Sequence, residues 1–395
     1  MLSTDPDSTA ARIVRQRKIR GLNQRALASA AGISYSLMTK VEQGERQPTP
    51  GVVAAIARAL AVPVTDLTGQ PYLAELQADQ LDSLIQPIRE SLDVYDLGAD
   101  PEVTPRRLGE LAADANRLCL LVRATDLRTV ASELPSLILE LTNAAHAQQS
   151  DRAWATLASA YRTAYDVATK LGYADLAAIA LDRMDWAAQR ASDPIVASVR
   201  QYLRALAYLR AGQYRTGQRL VAVGQATAEL ADPSMVRDAV MGQMHLGGAV
   251  LAARDRDGER ASEYLAEAER MAGRTGEAPQ VHWLSFGPTN VATHRFSVLA
   301  EQDKYAQALD VAKSIRLPED WPASRASHHI AEVARAQLWT GRTDAALRSL
   351  VKARSVAPQQ VRYSPTVHET VAGLMRAQRA APDTLLNLAS WVGTP

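Results

Sequence analysis

The chain has 395 residues, 44 basic and 43 acidic side chains, a net charge of +1 and a hydrophobic fraction of 47%. These values exclude wholesale disorder and a uniformly basic nucleic-acid coat protein, and the length allows two or three domains. The single cysteine, Cys119, excludes an intramolecular disulfide framework and favours a reducing, cytoplasmic location. No apolar run approaches the roughly 18–20 residues of a membrane span, so we expect no membrane partner.

Helical periodicity covers almost the whole chain, and no stretch alternates apolar and polar residues as a strand would, which predicts an all-α protein. Short helices are predicted first, near 9–20, 24–30, 35–43 and 50–60. One helix near 72–97 follows them. Longer helices then recur in pairs, and the glycines between partners, such as Gly172 and Gly212, are spaced by about forty residues. This spacing predicts helical hairpins stacked into an α-solenoid.

Residues 13–67 contain the most specific pattern in the chain. Asn23 is placed to cap one helix, Gly32 supplies the left-handed turn that ends it, and Ser34 is placed to cap the next. Two helices joined by such a glycine turn form a helix-turn-helix, whose second helix can enter a DNA major groove. Met38 and Val41 face inward on that second helix. Its outward face carries Tyr35, Ser36, Thr39 and Lys40.

The string LNQRALASAAGISYSLMTKVEQGERQPTP strongly resembles the phage-repressor-like, or XRE-type, DNA-binding domain over about residues 9–69. The resemblance implies base contacts from Tyr35, Ser36 and Lys40, with Thr39 beside them and Ser34 at the helix start. It implies phosphate contacts from Gln24 and Arg46. The chemistry agrees, because a lysine can donate to guanine and a glutamine at a helix N-terminus lies where anions are favoured.

Positive charge is concentrated in this segment. Residues 9–58 contain nine basic and two acidic side chains, a local charge of +7, which leaves −6 for the rest of the chain. A small basic unit on a mildly acidic body is typical of a protein that binds nucleic-acid phosphates through one module.

The C-terminal part resembles tetratricopeptide repeats (TPRs), best in its last repeat, at Gly341, Ala346, Leu350, Ala353 and Pro358. Its first helices would line a concave groove, and the register of that family places these residues there: Arg152, Arg162, Tyr202, Met244, Asn290, His328 and Arg335. Trp283 is a further candidate groove aromatic. Asn290 has two interpretations, either a contact to a bound peptide backbone or a cap for the helix after Gly287–Pro288.

We therefore predict a five-helix repressor-like helix-turn-helix domain over 1–69, a linker helix over 70–104 and a TPR-like domain over 105–395. The arrangement resembles regulators of Gram-positive bacteria that combine both modules, including the peptide-pheromone-responsive group. That resemblance implies a cytoplasmic homodimer that binds double-stranded operator DNA and senses a short peptide or small signalling molecule in the groove. The alternative is a TPR adaptor that binds another protein, with no small ligand.

The sequence contains none of the catalytic or metal-binding motifs that we looked for. It has no phosphate-cradling glycine loop, nucleophile elbow or zinc-protease helix, and its seven histidines show no metal-ligand spacing. We therefore expect no enzymatic activity, no cofactor and no metal site.

Overall fold

The chain is helical throughout the part described by a computed structural model, residues 8–378 and 380–394. Those residues form twenty-two α-helices, two short 3-10 helices and no strand, which confirms the predicted all-α class. One isolated β-bridge joins Ala278 and Phe286. Within the same residues no helix is both long and apolar enough to cross a membrane. Residues 1–7 of the predicted first domain, and Arg379 and Pro395 of the predicted last one, lie outside this description.

The first five helices form the predicted N-terminal unit: α1 (Thr9–Ile19), α2 (Gln24–Ala30), α3 (Tyr35–Glu42), α4 (Pro50–Leu60) and α5 (Val64–Thr68). Polar side chains cap four of them, because Ser8, Asn23, Ser34 and Thr49 each accept a hydrogen bond from a backbone N–H in the first turn. Their apolar faces meet in one core, which includes Ile13, Leu27, Met38, Val41, Ile56, Leu60 and Leu67.

The segment expected as one linker helix is a series of short helices, so that prediction is wrong. It contains α6 (Leu73–Ala78), a 3-10 turn (Asp82–Leu84) and α7 (Ile85–Asp93). Gln80 adopts a left-handed φ of 54°, which ends α6 and turns the chain. The turn allows Leu76, Leu81 and Ile88 all to be buried in the core of the repeat region, and the segment is part of that core.

The remaining helices are α8 (Leu108–Ala124), α9 (Leu127–Gln148), α10 (Asp151–Leu171), α11 (Ala174–Arg190), α12 (Pro194–Arg210), α13 (Tyr214–Ala228), α14 (Met235–Arg254), α15 (Gly258–Thr275), α16 (Pro288–Glu301), α17 (Tyr305–Ala312), α18 (Ala323–Trp339), α19 (Thr343–Val356), α20 (Pro358–Arg362), α21 (Pro365–Ala377) and α22 (Asp383–Val392). A second 3-10 turn covers Val281–Trp283. Neighbouring helices pair into hairpins, as in α10–α11, α12–α13, α14–α15 and α18–α19. The short α20 begins at Pro358, because proline is tolerated in the first turn of a helix.

The stack of hairpins curves until its end meets its beginning. Helix α18 contacts α8 although they are far apart in sequence. The side-chain oxygen of Gln359, in α20, accepts hydrogen bonds from the backbone N–H groups of Leu127 (2.8 Å) and Arg128 (3.1 Å) at the start of α9. Lys170, in α10, donates to the side-chain oxygen of Gln360. The two ends of the repeat region therefore meet, and the zone between α8, α10, α18 and the loop before α16 is here called the repeat interior.

Two of the contacts that dock the N-terminal unit on the repeat region are hydrogen bonds donated by its side chains. At the turn between α12 and α13, Arg58 donates to the carbonyl oxygen of Gly212, and a Cβ at Gly212 would lie only 2.8 Å from that of Ala54. On the other side, the hydroxyl of Thr9 donates to Glu369 in α21. Two separate contacts fix the orientation of the unit better than one could.

Candidate nucleic-acid interface and repeat interior

A buried carboxylate holds the end of α3 in place. Glu42 is 8% exposed and accepts two hydrogen bonds from the guanidinium of Arg17, at 2.6 and 2.9 Å, and one from the side-chain amide of Gln24 at 2.8 Å. Its hydrogen bond raises the pKa of Arg17 against the opposing effect of burial. One side chain of α3 thus ties α1 and α2 to it, which sets the angle at which α3 is presented.

The opposite face of α3 is open to solvent. Tyr35, Ser36 and Lys40 are exposed, as predicted for residues that read bases. Thr39 is partly exposed, and its hydroxyl donates to the carbonyl oxygen of Tyr35 at 3.0 Å. Ser34 is the N-cap, accepting from the N–H of Leu37 at 3.1 Å. The fold therefore gathers the predicted base-reading side chains on one exposed surface.

The two predicted phosphate contacts already have partners within the chain. The amide nitrogen of Gln24 donates to Glu42. The guanidinium carbon of Arg46 lies 4.9 Å from the ring centroid of Trp339, at the end of α18. Other basic residues of the unit are also engaged, since Arg17 binds Glu42 and Arg58 binds Gly212. The surface charge available to DNA is thus smaller than the count of +7 indicated, since Arg20 also donates to the carbonyl oxygen of Ala61. The exposed Arg25 does lie at α3, with its guanidinium carbon 5.2 Å from the ring centroid of Tyr35.

Three predicted groove residues lie inside the helix packing. Tyr202 is 3% exposed, Met244 is 0% and Asn290 is 1%. The amide nitrogen of Asn290 donates to the side-chain oxygen of Gln243 at 2.9 Å, and Gln243 in turn donates to the hydroxyl of Tyr202 at 2.7 Å. Gly287, not Asn290, is the N-cap of α16. Asn290 therefore fits neither interpretation offered by the sequence, because it joins α16 to α14 within a buried polar network.

Two other predicted groove residues also lie apart from the repeat interior. Arg152 is exposed at the start of α10. Arg335 is 6% exposed and forms ion pairs with Glu332 at 2.5 Å and Glu301 at 3.3 Å, and Glu301 also pairs with Arg254 at 3.1 Å. Burial alone would raise the pKa of Glu301, but the two arginines outweigh it and lower that pKa. Arg335 thus joins α18 to α16 and α14.

The last three predicted groove residues, Arg162, Trp283 and His328, do come together in the repeat interior. Arg162 donates to the carbonyl oxygen of His282, next to Trp283. Desolvation lowers the pKa of His328, and Arg325 and Lys170 lower it further against the opposing effect of Glu332. The interior thus brings together residues from α10, α18 and the loop before α16.

Four charged residues of the interior were not singled out by sequence reasoning: Arg123, Asp166, Lys170 and Arg325. Arg123, in α8, donates to the carboxylate of Asp166 at 3.0 Å. Their spacing in the sequence could have indicated two of them. Arg162, Asp166 and Lys170 follow one another at four-residue intervals, so they share one face of α10.

The charges of the interior are unbalanced. Burial would raise the pKa of Asp166, but Arg123, Arg162 and Lys170 outweigh that effect and hold it below its usual value. Burial, with a further contribution from Arg123, lowers the pKa of Arg162 to about 10. Burial lowers the pKa of Lys170 to about 8, and Arg123, Arg325 and Arg210 lower it further against the attraction of Asp166. Burial is the largest cause of the two lowered pKa values, and the contributions from neighbouring arginines show that several like charges lie close together here.

Comparisons with known proteins identify the N-terminal unit. Residues 10–68 match the family model described as a helix-turn-helix domain, which covers α1 to α5. The unit is therefore a helix-turn-helix domain, which indicates a DNA-binding regulator.

One solved structure is similar to a larger part of the chain. It is BtubC (BKLC) from P. vanneervenii, with 16% sequence identity, 64% of this chain and 91% of that chain covered, and a TM-score of 0.33. No curated protein matches the chain.

Proposed function

We propose that the protein is a non-enzymatic, cytoplasmic transcription regulator of the XRE type. Its helix-turn-helix domain would bind operator DNA, and its TPR-like repeat region would receive a ligand signal. The observation that carries the proposal is the orientation of α3. Its base-reading face, with Tyr35, Ser36 and Lys40, is exposed, whereas other parts of the domain are docked on the repeat region.

The chemistry of the exposed face supports sequence-specific binding. Lys40 can donate to the O6 or N7 atom of guanine, Ser36 can bond either base edge, and Tyr35 can pack on a thymine methyl group or reach a phosphate. The exposed guanidinium of Arg25, whose carbon lies 5.2 Å from the ring centroid of Tyr35, adds positive charge at this face. Base contacts would give specificity, and the basic residues would supply affinity that falls with salt.

The DNA-binding proposal is tested by selecting bound sequences from a random duplex library with the full chain. Fluorescence anisotropy on the selected duplex then compares Lys40→Ala and Ser36→Ala with the parent chain. Each substitution should weaken specific binding by roughly 1–3 kcal/mol. Lys352→Ala, at an exposed lysine of α19, is the matched control and should leave affinity unchanged. Unchanged affinity in both α3 variants would remove this face from the DNA interface.

A ligand in the repeat interior would act on DNA binding through α18. This helix carries Arg325 and His328 in the interior, and its last residue, Trp339, lies under Arg46 of the helix-turn-helix domain. A ligand that displaces α18 would therefore alter the placement of the domain. Coupling further requires that the ligand bind one arrangement better than the other. Mass spectrometry of molecules that co-purify with the chain tests this directly.

We further propose that the protein acts as a homodimer on paired half-sites, because one small domain offers few base contacts. Mass photometry with and without the selected duplex measures the stoichiometry, and a monomer bound to a single half-site would contradict the dimer. A stable protein partner, together with DNA binding that no co-purified small molecule alters, would instead favour the adaptor function.

A further inference from the structure

The loop between α15 and α16 is fixed at its base. The backbone N–H of Ala278 donates to the carbonyl oxygen of Phe286 at 2.8 Å, which closes the loop. The ring of Phe286 fills a notch on α14, where a Cβ at Gly242 would lie only 2.0 Å from its Cζ atom. Only the tip of the loop, residues 281–285, extends beyond this anchor.

Three arginines hold the loop tip by its backbone. The consecutive carbonyl oxygens of His282, Trp283 and Leu284 accept hydrogen bonds from Arg162, Arg123 and Arg325, respectively, the last two at 3.3 and 3.2 Å. The arginines come from α10, α8 and α18, so the loop tip lies between helices from both ends of the repeat region. A segment of neutral peptide thus occupies the donors of three charged side chains.

The tip is held in an unfavourable backbone conformation. His282, Trp283 and Ser285 have φ values of 42°, 53° and 59°, in the left-handed region that favours glycine. Such conformations cost free energy and persist only where surrounding contacts enforce them. Here the enforcing contacts are the arginine hydrogen bonds together with the packing of Leu284, which is 1% exposed, in the core, so loss of the arginine hydrogen bonds would remove a large part of what holds the tip.

Carbonyl groups leave the positive charge of the arginines uncompensated. Arg123, Arg162, Lys170 and Arg325 carry four positive charges and Asp166 carries one negative charge, so these five side chains sum to +3. Arg162 is 5% exposed, and its Nε atom has no hydrogen-bond partner among the described residues. A buried donor without a partner beside a net positive charge is the arrangement that an anion would complete.

We propose that these four cations form a binding site for the phosphate group of a small molecule, and that the loop tip gives up its place when the phosphate binds. This inference rests on the proposed function and specifies the chemistry of its ligand. A phosphate monoester or diphosphate carries more negative charge than a single carboxylate, and it therefore compensates a local charge of +3 better. Phosphate oxygens would also accept stronger, charge-assisted hydrogen bonds from the same guanidinium groups.

Displacement of the tip follows from competition for donors. Phosphate oxygens and the carbonyl oxygens of residues 282–284 both need the N–H groups of Arg123, Arg162 and Arg325. Oxygens of like partial charge repel each other around a shared donor, so the tip moves away as the phosphate binds. Release of the tip from its left-handed backbone conformation favours this movement. The base of the loop stays anchored by Phe286.

The binding experiment uses the full chain, titrated by calorimetry with inorganic pyrophosphate at constant ionic strength. We expect saturable binding with one pyrophosphate per chain. Lys170→Met and Arg325→Gln should each weaken it at least tenfold, while Arg219→Gln, at an exposed arginine of α13, should not change it. Circular dichroism checks that each variant is folded. Absence of binding to the parent chain, or equal loss in the Arg219 control, would overturn the site, and equal binding of acetate would overturn the choice of phosphate.

Hydrogen exchange measures the movement of the loop. On addition of pyrophosphate, amide exchange in residues 281–285 should become faster, while exchange at Ala278, whose N–H donates to Phe286, stays slow; an unchanged or slower tip would overturn displacement. Anisotropy with operator DNA separates this inference from the proposed function. Pyrophosphate binding without any effect on DNA affinity supports the site and contradicts sensing through it. A chain that binds operator DNA but not pyrophosphate contradicts the site and leaves DNA binding intact.

Discussion

The guanidinium of Arg46 lies over the indole ring of Trp339, with its carbon 4.9 Å from the ring centroid. Arg46 belongs to the turn that follows the recognition helix α3, and Trp339 ends α18. The same α18 carries Arg325 and His328 in the repeat interior, so one helix touches both the DNA-binding domain and the candidate ligand site. The backbone N–H of Arg46 donates to the carbonyl oxygen of Lys40 at 3.1 Å, whereas its guanidinium is held against α18.

Replacement of Arg46 should therefore affect DNA binding less than replacement of Lys40. Arg46→Ala removes a cation–π contact at an exposed site and should change operator affinity by less than about 1 kcal/mol. Lys40→Ala should cost roughly 1–3 kcal/mol. Anisotropy with one operator duplex at one salt concentration compares the two. Equal losses would mean that Arg46 leaves Trp339 to contact a phosphate, as the sequence comparison implied.

Replacement of Glu42 should loosen the helix-turn-helix domain. Glu42→Gln removes the buried charge that Arg17 and Gln24 share, and breaking a buried ion pair costs about 3 kcal/mol. Amide exchange in α1 to α3 should accelerate by roughly a hundredfold, the factor that corresponds to this free energy. Glu45→Gln, at an exposed neighbour, is the control and should leave exchange unchanged. Equal protection in both variants would show that Glu42 is not needed to hold α3.

Replacement of Glu301 should destabilise the repeat region. Glu301→Gln leaves Arg254 and Arg335 without their shared carboxylate, at a cost of about 3–5 kcal/mol to the free energy of unfolding in urea. The exposed pair of Glu269 and Arg295 provides the comparison, and Glu269→Gln should cost less than about 1 kcal/mol. A loss of similar size in both would refute the importance of burial at Glu301.

Acid should destabilise the protein through its enclosed histidines. Burial, aided by nearby arginines, lowers the pKa of His282 to about 4, of His294 to about 3 and of His368 to about 4. In the unfolded chain these side chains take up protons near pH 6.5, so the unfolded state binds more protons and stability falls as the pH falls from about 6.5 towards 4.

Urea unfolding at several pH values measures this effect. Each such histidine should contribute a loss on the order of 1 kcal/mol for each pH unit below about 6. His368 stacks on the ring of Tyr72. The glutamine of His368→Gln does not titrate, so the free energy of unfolding should depend less steeply on pH. An unchanged slope in that variant would show that His368 is not among the groups responsible.

Local signals in the sequence predicted the helix-turn-helix domain well, because its geometry depends on residues close together in the chain. Asn23 and Ser34 cap the helices that their positions predicted. The exposed face of α3 follows from the same periodicity. Packing between distant segments was not predictable in this way, and Arg46 shows why, since its partner Trp339 is almost three hundred residues away.

The repeat interior was predicted only in part. The register of the TPR family placed Arg162 and His328 in the groove, and both lie in the repeat interior. The same register placed Asn290 in the groove, but in the structure Asn290 is buried in the helix packing and donates to Gln243. Small differences in how each hairpin stacks decide which side chain reaches the interior, and no local pattern encodes them. The loop tip with its left-handed backbone at His282 and Trp283 had no sequence signal, because it depends on arginines from three distant helices.

The return of α18 and α20 to α8 and α9 changes how the repeat region is expected to unfold. In an open array each terminal repeat has a single neighbour, so it frays before the middle does. Here Gln359 of α20 accepts a hydrogen bond from the backbone at the start of α9, and Gln360 of α20 accepts one from Lys170 of α10. Neither end is a free terminus of the stack, and opening one exposes the other. The hairpins should consequently melt together as one cooperative unit, and deleting the last of them should weaken the first.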